Sequence, residues 1–136
     1  MTDAIHLAAR FPRIALLAVL AALLPLPVSG CEERSEQALV MPTGGDKEHG
    51  AQLIAQFGCG GCHVIPGIQD AKGVVGPPLT QIGRRVFIAG VLRNTPDNMI
   101  IWLRSPQSVV PNNAMPDLGL SDAEARDIAA YLYTLN

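Results

Sequence analysis

A chain of 136 residues has room for one domain, and its N-terminal third does not read as part of that domain. The formal net charge is −2, from 10 basic and 12 acidic side chains, and no stretch gathers the basic residues into a cluster. That excludes the basic, clustered surface on which nucleic-acid binding depends.

From Ile14 to Leu24 the sequence "IALLAVLAALL" is uninterrupted and apolar, with Arg10 and Arg13 before it and Pro25 and Pro27 after it. A basic stretch followed by a short apolar run is the layout of an export signal. A spanning helix needs about 20 apolar residues, and this run reaches about half that before the prolines arrive. A retained membrane helix from Ile14 through Val28 is the alternative. The next four residues, "VSGC", resemble the lipobox of bacterial lipoproteins. The resemblance implies a signal peptide over residues 1–30, a diacylglycerol thioether on Cys31, and a mature protein anchored by lipid at the periplasmic side of a bacterial membrane. Val28, Ser29 and Gly30 also satisfy the small-residue rule for ordinary signal cleavage, and both readings cut the same bond. An unpaired exported cysteine favours the lipid reading. Removal of residues 1–30 takes Arg10, Arg13 and Asp3 and leaves 8 basic and 11 acidic side chains, a net charge of −3.

After Cys31, "EERSEQALVMPTGG" is charged at its start, ends in turn residues and has no periodicity. Residues 31–45 therefore read as a flexible tether with an r.m.s. span of roughly 20 Å. Residues 46–136 read as the folded domain. Ala51, Leu53, Ile54 and Phe57 recur at helical spacing between Asp46 and Phe57, and Gly58 is a C-terminal stop. Thr95 can cap a second helix with Pro96 at its first position and Met99, Ile100 and Leu103 on one face. "SDAE", Ser121 to Glu124, is a capping box for a last helix whose stripe is Ala125, Ile128, Ala129, Leu132 and Leu135. Glycine- and proline-rich loops, Pro66 to Pro78 and Ser105 to Pro116, lie between. There is no strand pattern of useful length and no internal repeat. Loops this long in so small a domain leave a thin core, which calls for apolar surface from another source.

The chemistry-bearing stretch is "FGCGGCHVIPG", residues 57–67. A thioredoxin-like dithiol belongs at the start of a helix in a βαβ context, whereas this pair follows a helix and enters a proline-rich loop. A structural zinc site needs four ligands in spaced pairs, and neither His49 nor Cys31 supplies the missing one at zinc spacing. Covalent attachment of a c-type haem matches the pattern Cys-x-x-Cys-His directly. Cys59 and Cys62 would each add to one vinyl group, and His63 would fall under the iron. Gly60 and Gly61 give room for a tight loop against the ring, although the pattern does not require glycine there.

Among the methionines, Met1 lies in the signal, Met41 in the tether and Met99 at a core-like helical position. Met115, in "NNAMPDLG", sits in a loop where Pro116 biases it toward an extended conformation, and such a loop can aim a thioether at the iron. A loop methionine that merely fills a gap in the core is the alternative.

Four segments in order resemble class I monohaem cytochromes c. They are the helix before "CGGCH"; "VGPPLT", Val75 to Thr80; "WLRSPQSVVPNNAMP", Trp102 to Pro116; and "DIAAYLYTL", Asp127 to Leu135. The resemblance implies an all-α fold of three to five helices around one covalent haem c, with the first and last helices crossing where Gly50 packs under Tyr131. It further implies that the Pro77 carbonyl accepts from His63 Nδ1, that Leu79 packs on the ring, that Trp102 lies near the methionine ligand and that Arg85 lies near a propionate. With only Lys47 and Lys72 as lysines, the lysine-ringed docking face of mitochondrial-type carriers is missing, as is a second tryptophan.

Closure of both axial positions by His63 and Met115 points to electron transfer and away from oxygen or peroxide chemistry. The reading is a lipid-anchored respiratory carrier, itself no enzyme, working between a donor such as a cytochrome bc complex and a terminal oxidase or reductase. The alternatives are a cytochrome subunit held permanently by a larger oxidase or dehydrogenase, and a haem sensor or peroxidase whose methionine dissociates.

Overall fold

A computed structural model of the chain describes residues 42–136. The signal reading of residues 1–30, the lipid site at Cys31 and the tether as far as Met41 lie outside the described residues.

Helix α1 runs Lys47–Gln56. It starts where Asp46 Oδ1 accepts from the Glu48 and His49 amides at 2.9 and 3.0 Å, and the His49 amide above all holds the Asp46 carboxyl below its usual range. Phe57 caps its end, and Gly58 then takes the left-handed φ of +69° that reverses the chain. Helix α2, Pro96–Arg104, begins at Thr95, whose hydroxyl accepts from the Asn98 amide, and buries Met99, Ile100 and Leu103. A short helix α3, Pro106–Val109, follows at once inside the stretch expected to be loop. Helix α4, Asp122–Leu132, opens with the capping box complete: the Ser121 hydroxyl donates to Glu124 at 2.7 Å and the Ser121 amide at 2.8 Å. Those two bonds hold the Glu124 carboxyl below the ordinary glutamate range.

Helices α1 and α4 make the most extensive packing contact in the domain, and one residue permits it. A Cβ on Gly50 would stand 1.9 Å from the Asp127 carbonyl oxygen and 3.1 Å from the Ile128 nitrogen. Only a hydrogen fits there, so the backbones touch. The expected partner of Gly50, Tyr131, is used elsewhere: its hydroxyl donates to the Pro66 carbonyl at 2.6 Å, beside Gly67. The crossing is therefore glycine against main chain, with the tyrosine one turn further along α4 latching the loop after His63.

The chain also holds a small hairpin that sequence reading did not anticipate. Strands β1, Phe87–Ile88, and β2, Leu92–Arg93, pair antiparallel with Ile88 opposite Leu92. Two-residue strands are too short to show alternation. Ala89 and Gly90, with φ of +48° and +76°, make the turn, and the Val91 amide donates to the Ile88 carbonyl at 3.0 Å. Ile88 points into the core and Phe87 outward.

Apart from that hairpin and two 3₁₀ turns, Cys59–Gly61 and Ile82–Arg84, the regular elements among the described residues are the four helices, so the fold is the small, mainly helical, loop-rich architecture that the resemblance implied. Its core joins Leu53 and Ile54 of α1, Met99, Ile100 and Leu103 of α2, and Ile128, Leu132 and the fully buried Tyr133 at the end of α4. Thr43, read from sequence as part of the tether, is buried, and its carbonyl accepts from Arg126 at 3.2 Å.

Candidate functional site

A cavity of about 320 Å³ opens between the helices, walled almost wholly by apolar atoms. Ile54 and Phe57 of α1 and Ile128 and Leu132 of α4 line its back, so the crossing at Gly50 places that wall. The two cysteines and the histidine reach it through a single tight turn. After Gly58 reverses the chain, the Cys59 carbonyl accepts from both the Cys62 amide at 3.2 Å and the His63 amide at 3.0 Å. This coils the motif so that Cys59, Cys62 and His63 all line the cavity. The two thiols are free, and burial pushes that of Cys59 above the ordinary thiol range, favouring the neutral form.

Glycine turns out to matter at one position of the motif. A Cβ on Gly60 would lie 2.7 Å from the Ala71 Cα and Cβ, whereas one on Gly61 would meet nothing within 4 Å. The room at Gly60 is needed against the loop that returns beside the motif, at Ala71.

That returning loop orients His63. The Gly76 amide donates to the Cys62 carbonyl at 2.8 Å and the Leu79 amide to the Val64 carbonyl at 2.9 Å, which lays residues 76–79 alongside 62–64. Between those two bonds the Pro77 carbonyl stands 2.8 Å from His63 Nδ1. Since a carbonyl only accepts, Nδ1 carries the hydrogen and Nε2 is left with its lone pair, the state a metal ligand requires. The His63 ring lies directly over Gly76: a Cβ there would come within 2.2 Å of Cε1 and 2.6 Å of Nδ1. Sequence reading gave Gly76 no role, although its place before two prolines was the available signal.

The remaining expected residues gather on the same cavity. Leu79, Trp102 and Met115 line it and are partly buried. Arg85 is the one charged side chain in the lining among the described residues, and its guanidinium donates to the Pro78 carbonyl. Met115 is held by two side chains that sequence reading passed over. Gln107 of α3 donates to the Met115 carbonyl at 2.7 Å and to that of Asn113 at 3.0 Å. Asn113 accepts from the Met115 amide at 2.8 Å and donates to the Pro106 and Val110 carbonyls. The loop is thus folded around its own amides, and the methionine side chain is left to face the cavity. Met99, expected as a core residue, is buried and also borders the cavity.

Comparison with known proteins agrees with this geometry. The family model for cytochrome c matches residues 48–136. The chain is 38% identical over 97 residues to cytochrome c oxidase subunit 2 of Alkalihalophilus pseudofirmus, an alignment covering 69% of this chain and 27% of that protein. It is 32% identical over 89 residues to the protein of the same name from Bacillus subtilis, covering 62% and 25% of the two. The chain thus spans about a quarter of the length of the curated relatives it matches. These names correct one expectation. The relatives are named as a subunit of an oxidase, an enzyme complex, so the expectation that the chain is itself no enzyme is withdrawn.

The family implies a covalently bound c-type haem, and the residues fit it. Two free thiols and a histidine in one turn share an apolar cavity with a thioether, and a single cationic side chain borders it.

Gly76→Ala drives a methyl into the His63 ring, so its expected effect is a loss of about 1–3 kcal/mol of stability and a displaced His63 ring. Thermal unfolding and the NMR shifts of the imidazole would measure both. Gly61→Ala, placed in open space, should change neither.

Proposed function

The chain belongs to the cytochrome c family, and on that premise we propose that it is the haem-bearing, electron-transferring part of a terminal oxidase, held by that complex as a subunit. The observation that carries the electron-transfer reading is the single apolar cavity that His63 and Met115 share with both motif cysteines. The likeness to oxidase subunits supports the oxidase as the place where it works.

When bound, the haem supplies a one-electron couple. Everything else is done by the chain. Cys59 and Cys62 would hold the group covalently. His63 would hold the iron through Nε2, because the Pro77 carbonyl engages Nδ1 at 2.8 Å, a bond that favours donation from the other nitrogen. Met115 would hold it through its thioether, in a loop fixed by Gln107 and Asn113. Methionine in that place raises the reduction potential relative to a second histidine, which suits delivery of electrons to an oxidising acceptor. The apolar walls exclude water, and Leu79 and Trp102 pack toward the ring. Arg85 places a positive charge at the cavity, where a propionate would pair with it. With His63 and Met115 both holding the iron, the domain would serve electron transfer.

We also infer that Cys31 carries lipid and holds the domain at the periplasmic face of a bacterial membrane. Tethering raises the effective concentration of the domain at a membrane complex, so a strongly charged docking face is not required.

Three measurements test these assignments. The oxidised protein should give a low-spin spectrum with a methionine-to-iron charge-transfer band. Met115→Ala should abolish that band and admit carbon monoxide; rapid carbon monoxide binding by the parent would refute the ligand pair. Purification from detergent-solubilised membranes should bring the protein down with oxidase activity in fixed proportion, whereas recovery as a lone protein would favour a free carrier. Cys31→Ser should release the domain from the membrane, and continued attachment would mean that the apolar run from Ile14 stays as an anchor.

A further inference from the structure

Behind the part of the wall made by Ile82, Arg85 and Ile88, a buried polar network joins the end of α4 to the loop that orients His63. Its centre is Asn94, 7% exposed, and Tyr133, fully buried. The Asn94 side-chain nitrogen lies 2.7 Å from the Ile82 carbonyl oxygen and 2.9 Å from that of Arg85. Both oxygens can only accept, so the amide must turn its two hydrogens toward them. That leaves Oδ1 for Tyr133, whose hydroxyl donates to it at 2.8 Å. Every polar position of the amide is used, and its partners leave it one orientation. Two backbone bonds reinforce the grip on this segment, from the Asn94 amide to the Val86 carbonyl at 3.0 Å and from the Gly83 amide to the Leu135 carbonyl at 3.1 Å.

What this network places is Arg85. Asn94 holds its main-chain carbonyl, and its guanidinium reaches across to the Pro78 carbonyl. Pro78 follows Pro77, the acceptor of the His63 hydrogen. Neither proline has an N–H, so within residues 76–79 the only backbone donors at work are Gly76 and Leu79, one at each end. The carbonyls between them have no ladder to hold their direction, and Arg85 is the lateral tie. A buried, fully bonded asparagine is a rigid way to hold such a tie, because misplacing any member strands a polar group.

We propose that Asn94, steered by Tyr133, is a positioning residue for the His63 ligand: it fixes the main chain of Arg85, and through the Arg85 bond to Pro78 it sets the direction of the adjoining Pro77 carbonyl toward Nδ1. The proposal rests on His63 ligating iron as assigned above. Loosening the network weakens the Nδ1 bond, lowers the basicity of the ring and raises the midpoint potential.

The test uses the haem-loaded protein and two readouts, solvent exchange of the His63 Nδ1 hydrogen by NMR and the midpoint potential. Asn94→Ala should speed that exchange about tenfold, as expected when a hydrogen bond opens locally, and shift the potential upward. Tyr133→Phe, which keeps the ring and removes only the hydroxyl, should act in the same direction by less, and it stands in if Asn94→Ala does not fold. In an Arg85→Ala background, Asn94→Ala should add nothing to the exchange rate, because the tie is already gone. Ser121→Ala, which removes the cap of α4, should lower stability and leave both readouts in place. The proposal is overturned if the variants lower stability without moving the His63 signals, if the Asn94 and Arg85 effects add, or if Ser121→Ala speeds the exchange equally. A high-spin spectrum in the unaltered protein would instead overturn the ligand assignment itself, and that appears before any variant is compared.

Discussion

The close contact of α1 and α4 at Gly50 governs the rest of the domain. Because a Cβ there would stand 1.9 Å from the Asp127 carbonyl oxygen, the two helices approach with main chain against main chain. That distance sets the back of the cavity, since Ile54 and Phe57 project from one helix and Ile128 and Leu132 from the other. It also sets the front, because the thiol and imidazole turn begins three residues after α1 ends. A change in the crossing would move both surfaces together.

Two irregular loops hold the site by bonds between side chain and main chain. The carbonyls of Pro77 and Pro78 accept from the side chains of His63 and Arg85. Around Met115 the side-chain amides of Gln107 and Asn113 supply the donors and acceptors that regular structure would have supplied. In both places an irregular loop is kept stiff by specific bonds.

Elements marked by local chemistry were legible from the sequence. Thr95 and Ser121 cap helices where their side chains predict, and Gly58 turns the chain where α1 should stop. The cavity residues were legible as a set because the cysteine and histidine spacing has one fitting chemistry and the other motifs follow it in order. What could not be read depends on contacts distant in the chain. Gly76 is one glycine among 13 until the His63 ring is seen above it. Asn94 gives no sign of meeting Tyr133, 39 residues away. Strands of two residues carry no period, and the helix at Pro106–Val109 is too short to show one. That the nearest atoms to Gly50 are main-chain atoms of Asp127 and Ile128 was hidden for the same reason.

The entry of the chain into the domain has a mechanical side. Thr43 is clamped to α4 by Arg126, and the Asp46 amide donates to Asp127 Oδ1 at 2.7 Å. A load arriving along the chain ahead of Thr43 therefore falls on the polar side of α4, along the first half of that helix. The turn that carries Cys59, Cys62 and His63 lies beyond this clamp, after α1, and is spared the load.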